Sequence, residues 1–260
     1  MLRLHLHTRV DWSLRALETG ISMSGNGRNE ALGPPGLGCV LLFSGGRDSS
    51  IAAIRLGRQY ARLKLVTVST DHLVGMSHVI DRLRELKRHL DPATLWYHFT
   101  FEGEPEIGSE LLTSCLPCHA VYLLAGLAVA AENDISNIAF GYTQYQSSWA
   151  EQTVQGRTAI SEVMTLFGRR ALFPVSDLNS KEQAIDELRA LGITVLALEQ
   201  KCLRQQVNHQ SDQNLLHAEI RRWGDWLKTA LEPELARKLR LVRSMALSDI
   251  EERQPCLPII

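Results

Sequence analysis

The chain has 260 residues, 45% hydrophobic and 22% charged, a balance that fits a folded globule and excludes a disordered or collagen-like chain. Its 28 basic and 29 acidic side chains leave a formal charge of −1, so no global electropositive field marks it as a nucleic-acid binder. The longest apolar stretch, Val121 to Ala131, is too short to cross a bilayer, and the opening Met1-Leu2-Arg3-Leu4-His5-Leu6-His7 is interrupted by basic residues, unlike a secretory leader. A cytoplasmic protein without a membrane partner is the expectation. In that compartment the five cysteines read as free, metal-bound or catalytic thiols rather than as a disulfide framework.

Residues 1 to 12 alternate, with Leu2, Leu4 and Leu6 on one side, which predicts a strand with His5 and His7 solvated on the other. Residues 13 to 37 hold Ser-Gly-Asn-Gly and Gly-Pro-Pro-Gly, so residues 1–35 read as an appendage and loop. A repeating pattern begins at Leu37. Leu37 to Phe43, Leu63 to Ser69, Leu95 to Phe99 and Ile138 to Phe140 predict strands; Ser49 to Tyr60, His78 to His89 and Leu111 to Glu132 predict the helices between them. Strands alternating with helices of this length predict an α/β fold, a mostly parallel sheet covered by helices on both faces.

The stretch at the end of the first strand is Ser44-Gly45-Gly46-Arg47-Asp48-Ser49-Ser50. Two glycines let the main chain turn with its N–H groups aimed into one concavity, and the first N–H groups of the next helix point the same way. Such a concavity holds phosphate, with the Ser44, Ser49 and Ser50 hydroxyls as extra donors. Asp48 would repel bare phosphate, which suggests a bridging magnesium ion. Ligands in such sheets bind beyond the carboxyl ends of the strands, gathering this loop with Thr70-Asp71-His72, Phe101 and Gly141-Tyr142-Thr143. Asp71 there either reaches the adenine or ribose of a nucleotide or serves as a turn aspartate.

Further on, Ala159 to Phe167 predicts a helix, Ala171 to Val175 an extended stretch, and Ser180 to Leu191 a helix opened by the capping box Ser180-Lys181-Glu182-Gln183. Ile193 to Leu198 predicts a short strand. Asn214 to Leu231 and Leu235 to Met245 read as amphipathic helices, so residues 206–260 form a helical extension of a catalytic unit at 36–205. Trp223 and Trp226, three apart, read as packing.

Cys115-Leu116-Pro117-Cys118 lies just before a long helical run. Two thiols so spaced can share a metal, form a redox disulfide or pass a persulfide, and the helix N-terminus would favour thiolate in each case. Cys202 should return to the same end of the sheet. Three thiolates are too few for a structural zinc site but suit an iron-sulfur cluster with one iron open; spacing alone does not decide. Cys39, inside the first strand, reads as a buried small hydrophobe, and Cys256 as a free thiol or a fourth ligand.

Ser44-Gly45-Gly46-Arg47-Asp48-Ser49 resembles the pyrophosphate-loop motif of the N-type ATP pyrophosphatases, which cleave ATP between the alpha and beta phosphates and adenylate a substrate. The resemblance implies an adenine nucleotide alpha-hydrolase-like, Rossmann-like fold, ATP and magnesium at Ser44 to Ser50, and a nucleotide site extending to Asp71 and Gly141. The order of this loop, a Cys-x-x-Cys about seventy residues on and a lone cysteine a little over eighty later is similar to the two-thiocytidine and two-thiouridine tRNA sulfurtransferases. That likeness implies a [4Fe-4S] cluster on Cys115, Cys118 and Cys202, with a persulfide cysteine or zinc as alternatives, and a sulfide or persulfide carrier as donor.

The segment Gly141 to Gln152 has no histidine or aspartate where those enzymes carry a Gly-His-His-x-x-Asp-Asp type string. It offers Tyr142, Gln144, Tyr145, Gln146, Trp149 and Gln152, aromatic faces and amides suited to a planar heterocycle. The expected activity is an ATP-dependent sulfurtransferase acting on a carbonyl-type oxygen of a nucleobase-like or small heterocyclic substrate, with a homodimer left open. The alternatives are the same chemistry on tRNA, with Arg169, Arg170, Arg221, Arg222, Arg237, Lys238, Arg240 and Arg243 as a groove, or an amidotransferase-like or nitrile-forming ligase.

Overall fold

A computed structural model describes residues 38–103, 115–204, 213–230 and 238–252. In chain order its strands are β1 (Gly38–Leu42), β2 (Arg62–Ser69), β3 (Leu73–Val74), β4 (Leu95–Phe101), β5 (Asn137–Phe140), β6 (Arg170–Leu172), β7 (Lys201–Cys202) and β8 (Leu239–Ala246). Its helices are α1 (Arg47–Gly57), α2 (Met76–Leu86), α3 (Leu116–Glu132), α4 (Val154–Leu166), α5 (Lys181–Ala190) and α6 (Gln213–Ala230). Six strands form one sheet in the order β6-β5-β1-β2-β4-β8, parallel from β6 to β4, with β8 antiparallel at the edge. This is the expected α/β architecture.

The central strand β1 explains why the sheet needs cover on both faces. Val40 packs with the apolar residues of α3, α4 and α6, while Cys39 and Leu41 pack with those of α1, α2 and α5. A strand buried on both sides reads as a continuous apolar run. In α1, Ile51, Ala52, Ala53, Ile54 and Leu56 are all buried, each large side chain contributing roughly 1.5–3 kcal/mol. Helix α3 is apolar almost all round because it is enclosed by the sheet and by Ile220, Trp223 and Leu227 of α6. Trp223 is accordingly a packing residue, and Trp226 meets Phe101 edge-on at 6.5 Å.

Two predicted elements differ. Residues 239–246, expected as the end of a helix, form strand β8, because the open edge of β4 presents unpaired backbone groups that the segment satisfies along its length. Residues 193–198, expected as a strand, cross the molecule as irregular chain, and only Lys201 and Cys202 pair, antiparallel to β3. The Ser180 cap is present: its hydroxyl accepts the Gln183 N–H. Expectations for residues 1–37 and for Cys256 fall outside the described residues.

Candidate functional site

Strand β1 ends beneath the Ser44 to Ser50 loop. Gly45 has φ +83°, and a side chain there would also meet the Leu198 carbonyl at 2.7 Å, so only glycine fits. Gly46 caps α1 without a side-chain partner, leaving the helix N-terminus to the cleft. The serines brace the loop: Ser44 Oγ accepts the Gly46 N–H and lies 3.1 Å from Ser49 Oγ, while the hydroxyls of Ser49 and Ser50 donate to the Gly46 carbonyl. Ser50 is buried and fixes the loop from beneath. Gly141 follows β5, where a Cβ would stand 3.0 Å from the Ser49 backbone, so it admits a close crossing over the start of α1.

A buried guanidinium ties this loop to the chain that crosses over it. Arg82 of α2 donates to the carbonyls of Gly45, Thr194 and Leu196 and pairs with Glu85 at 2.7 Å, and Arg47 reaches the Val195 carbonyl. Gln200 completes the attachment, donating to the Val68 carbonyl and accepting from Ser69 Oγ. The crossing segment is thereby held over the carboxyl ends of β1 and β2.

The cleft so formed has a volume of about 420 Å³. Ser44, Gly46, Arg47, Asp48, Ser49 and Gly141 line it, and so do Cys115, Cys118 and Cys202. Gly45, Ser50 and Asp71 do not line it; Asp71 is an exposed turn residue. Cys202 arrives through the β3–β7 ladder, where it stands opposite Leu73, rather than through a strand of the main sheet. The same ladder holds His72, whose carbonyl accepts the Leu203 N–H and whose Nε2 lies 3.2 Å from Cys118 Sγ.

Burial outweighs the helix N-terminus at the first two thiols. It pushes Cys115 up to about 12, helped by the Glu151 carboxylate and the neighbouring cysteines, and Cys118 up to about 11, helped by Cys202 and opposed by Arg204. The sequence expectation of lowered thiols is therefore corrected. Among the described residues no group of three His, Cys, Asp or Glu side chains converges to hold a metal ion. The three thiols share a cleft, but zinc or a cluster has no support from their arrangement. Cys39 is fully buried and pushed up to about 12, as a core thiol should be.

The segment after β5 serves Asp48. Tyr145 Oη donates to Asp48 Oδ1 at 2.6 Å and Gln146 Nε2 to Oδ2 at 3.2 Å. Gln152 supports Gln146 at 2.7 Å while accepting the Thr143 N–H. Burial raises the Asp48 carboxyl, and Tyr145 and Arg47 partly restore it. Tyr142 is buried against His119, whose Nδ1 is 2.6 Å from the Tyr142 hydroxyl. Two of the residues expected to read a heterocycle, Tyr145 and Gln146, thus hold a carboxylate instead, and Gln144 accepts from Arg157.

Sequence reading missed the cleft roles of His119, Glu199, Gln200 and Arg204; His72, expected in this cleft with Thr70 and Asp71, does line it, and what the sequence did not announce is its contact with Cys118. His72 stood beside Asp71 in the stretch already singled out, and the thiol it meets is 46 positions away. The basic residues expected as a groove scatter: Arg170 binds Asn137, Arg221 pairs with Glu162, Arg222 with Glu219 and Arg240 with Glu102, and none lines the cleft. Arg237 lies outside the described residues.

Sheet order, helices on both faces and a cleft at the carboxyl ends of the parallel strands together make this a Rossmann-like α/β fold. No protein-family model and no curated sequence matches the chain. Among solved structures it is similar to a 4-thiouridine synthetase in complex with RNA and bound ATP, at 19% identity and a TM-score of 0.50, over 79% of this chain and 55% of that one. The chain thus spans about half the length of that protein. It also matches the NMN synthetase from Francisella tularensis at 14% identity and a TM-score of 0.41, over 78% of this chain and 82% of that one.

Proposed function

We propose that this chain is an ATP-dependent transferase that adenylates an oxygen atom of its substrate, releases pyrophosphate and exchanges the activated oxygen for sulfur. The observation that carries this reading is a two-glycine phosphate-type loop and three thiols lining one cleft at the carboxyl ends of parallel strands. The open N–H groups at the start of α1, with the Arg47 guanidinium beside them, supply the positive potential that the beta and gamma phosphates need. Asp48 is a carboxylate among hydroxyls, a donor set suited to a hard divalent cation. Magnesium held there would neutralise charge on the phosphates and the departing pyrophosphate.

A carbonyl-type oxygen of the substrate attacks the alpha phosphate, which turns a poor leaving group into AMP. The outer sulfur of a persulfide borne on one cleft thiol then attacks the carbon bearing that oxygen and AMP departs; a second cleft thiol attacks the inner sulfur, the S–S bond to the substrate breaks, the thionated product leaves, and the two thiols end as a disulfide that an external thiol reduces. The segment carrying Tyr145 and Gln146 keeps Asp48 aimed, and the crossing segment 193–200 limits water at the reacting atoms.

A nucleobase presented in RNA is the acceptor we carry forward, supported by the shared fold of a 4-thiouridine synthetase whose structure holds RNA and ATP. Arg47 and Arg204 along the cleft offer such a backbone local positive charge, whereas Lys201 is paired with Glu199. A free heterocycle is the second reading, favoured by the scatter of the remaining basic residues. Incubation with ATP, magnesium, a persulfide donor and either bulk tRNA or free pyrimidine nucleotides separates them by mass spectrometry of the bases. A thionated base in tRNA supports the first and a thionated free nucleotide the second; pyrophosphate release with no sulfur in either pool sinks sulfur transfer.

A further inference from the structure

The three cleft thiols are not equivalent. Cys118 sits in the first turn of α3, and His72 presents its Nε2 3.2 Å from that sulfur. Both partners stand on fixed elements. His72 immediately precedes β3, its carbonyl accepts the Leu203 N–H at 2.9 Å, and Thr70 Oγ1 lies 3.2 Å from both ring nitrogens. Burial raises both thiols, and nearby charges divide them further: the Glu151 carboxylate adds to the rise at Cys115, whereas the Arg204 guanidinium offsets part of it at Cys118. An imidazole within hydrogen-bond reach of a half-buried thiol that burial keeps protonated is the pairing by which a base activates a nucleophilic cysteine.

We propose that Cys118 and His72 form a thiol–imidazole pair and that Cys118 is the cleft thiol that takes up sulfane sulfur from a persulfide donor. The inference rests on the sulfur-transfer reading above and adds which thiol loads and what removes its proton. In the tautomer with Nδ1 protonated, His72 Nε2 accepts the Cys118 S–H proton as Sγ attacks the terminal sulfur of the donor R–S–SH. The donor S–S bond breaks with its electron pair leaving on RS⁻, a new S–S bond forms on Cys118, and His72 returns the proton to RS⁻. R–S–SH and Cys118–SH become R–SH and Cys118–S–SH, with no external oxidant or reductant. Cys202, held opposite Leu73 in the adjoining ladder, lies in the same cleft as the loaded sulfur.

The test exposes the whole protein to glutathione persulfide, caps it by alkylation at short times and maps the added sulfur by peptide mass spectrometry. Cys118 should load before Cys115 and Cys202, and His72→Ala should slow that loading by about 100-fold. Added imidazole should recover much of the lost rate, which a merely structural role for His72 would not allow. His72→Gln, which fills similar space without a base, should show the same slowing and decides the matter if the alanine variant does not fold. First loading at Cys115 or Cys202, or a Cys118 rate indifferent to both His72 variants, overturns the pair. Pyrophosphate release measured on the same preparations keeps the two readings apart: intact adenylation with His72-independent loading overturns only the pair. Normal His72-dependent loading with no thionated base in any pool overturns the sulfur-transfer reading instead.

Discussion

The phosphate-loop side and the thiol side of the cleft are built in opposite ways. Ser44 to Ser50 is one contiguous turn whose serines bond within it, seated on a strand buried on both faces. The thiol side is assembled from α3, the stretch before β3, and β7, joined by a ladder only two residues long on each strand. A loop that braces itself survives changes elsewhere, whereas an assembly of three distant segments depends on whatever holds them in register. Arg82, donating to Gly45 on one side and to Thr194 and Leu196 on the other, is the link between them.

Asp48→Asn should separate the sides most strongly. Pyrophosphate formation is expected to fall by about 1,000-fold, with persulfide loading of Cys118 unchanged. The same change should raise thermal stability at neutral pH. Burial lifts the folded carboxyl above its usual 3.8, so the folded state holds the extra proton; stability is full below the unfolded value and lost as pH rises through the folded one. An Asp48→Asn protein that melts lower at pH 7 contradicts the burial cost assigned to this carboxylate, and one that still makes pyrophosphate contradicts its place in the phosphate chemistry.

Arg82→Met should damage both sides together. The guanidinium is fully buried, and removing it strands three carbonyls and leaves Glu85 without its partner, a loss of about 3 kcal/mol in denaturant unfolding. Unchanged stability would show that the crossing segment holds itself. Tyr145→Phe is smaller: one hydrogen bond to a carboxylate is lost, and pyrophosphate formation should drop about tenfold while the fold persists.

The smallest effect is on pH. His98 is held down to about 4, chiefly by burial and also by Arg243, and its Nε2 lies 2.9 Å from Ser69 Oγ, which in turn bonds Gln200. A depressed folded value means that the stabilisation is complete above the unfolded 6.5 and lost as pH falls toward 4. Hydrogen exchange should therefore rise first near Gln200 and Cys202 across that window, ahead of the Ser44 loop. Exchange that rises uniformly would erase the contrast between the sides.

Much of the phosphate side was legible because its determinants are adjacent in sequence: the apolar run, two glycines and the following amphipathic helix are each local signals. Cys202 does reach the cleft, but not by the route the sequence suggested: the strand expected at 193–198 is irregular chain, and the ladder that delivers Cys202 pairs only two residues and leaves no periodicity. The Cys118–His72 contact, spanning 46 positions, has no local signature either. Residues 239–246 misled because Leu235, Leu239, Val242 and Ala246 recur at helical spacing, and the open edge of β4, a tertiary fact, decided for a strand. Tyr145 and Gln146 were legible as functional side chains but not as partners of Asp48, because their target lies 97 and 98 positions away.

The most direct test follows the label in ATP marked at the alpha phosphate, incubated with the whole protein, magnesium and bulk tRNA. Label should pass to AMP with an equal amount of pyrophosphate, and Asp48→Asn should abolish the transfer. Label recovered in ADP, with inorganic phosphate released, or AMP formation untouched by Asp48→Asn, would contradict adenylation at this cleft.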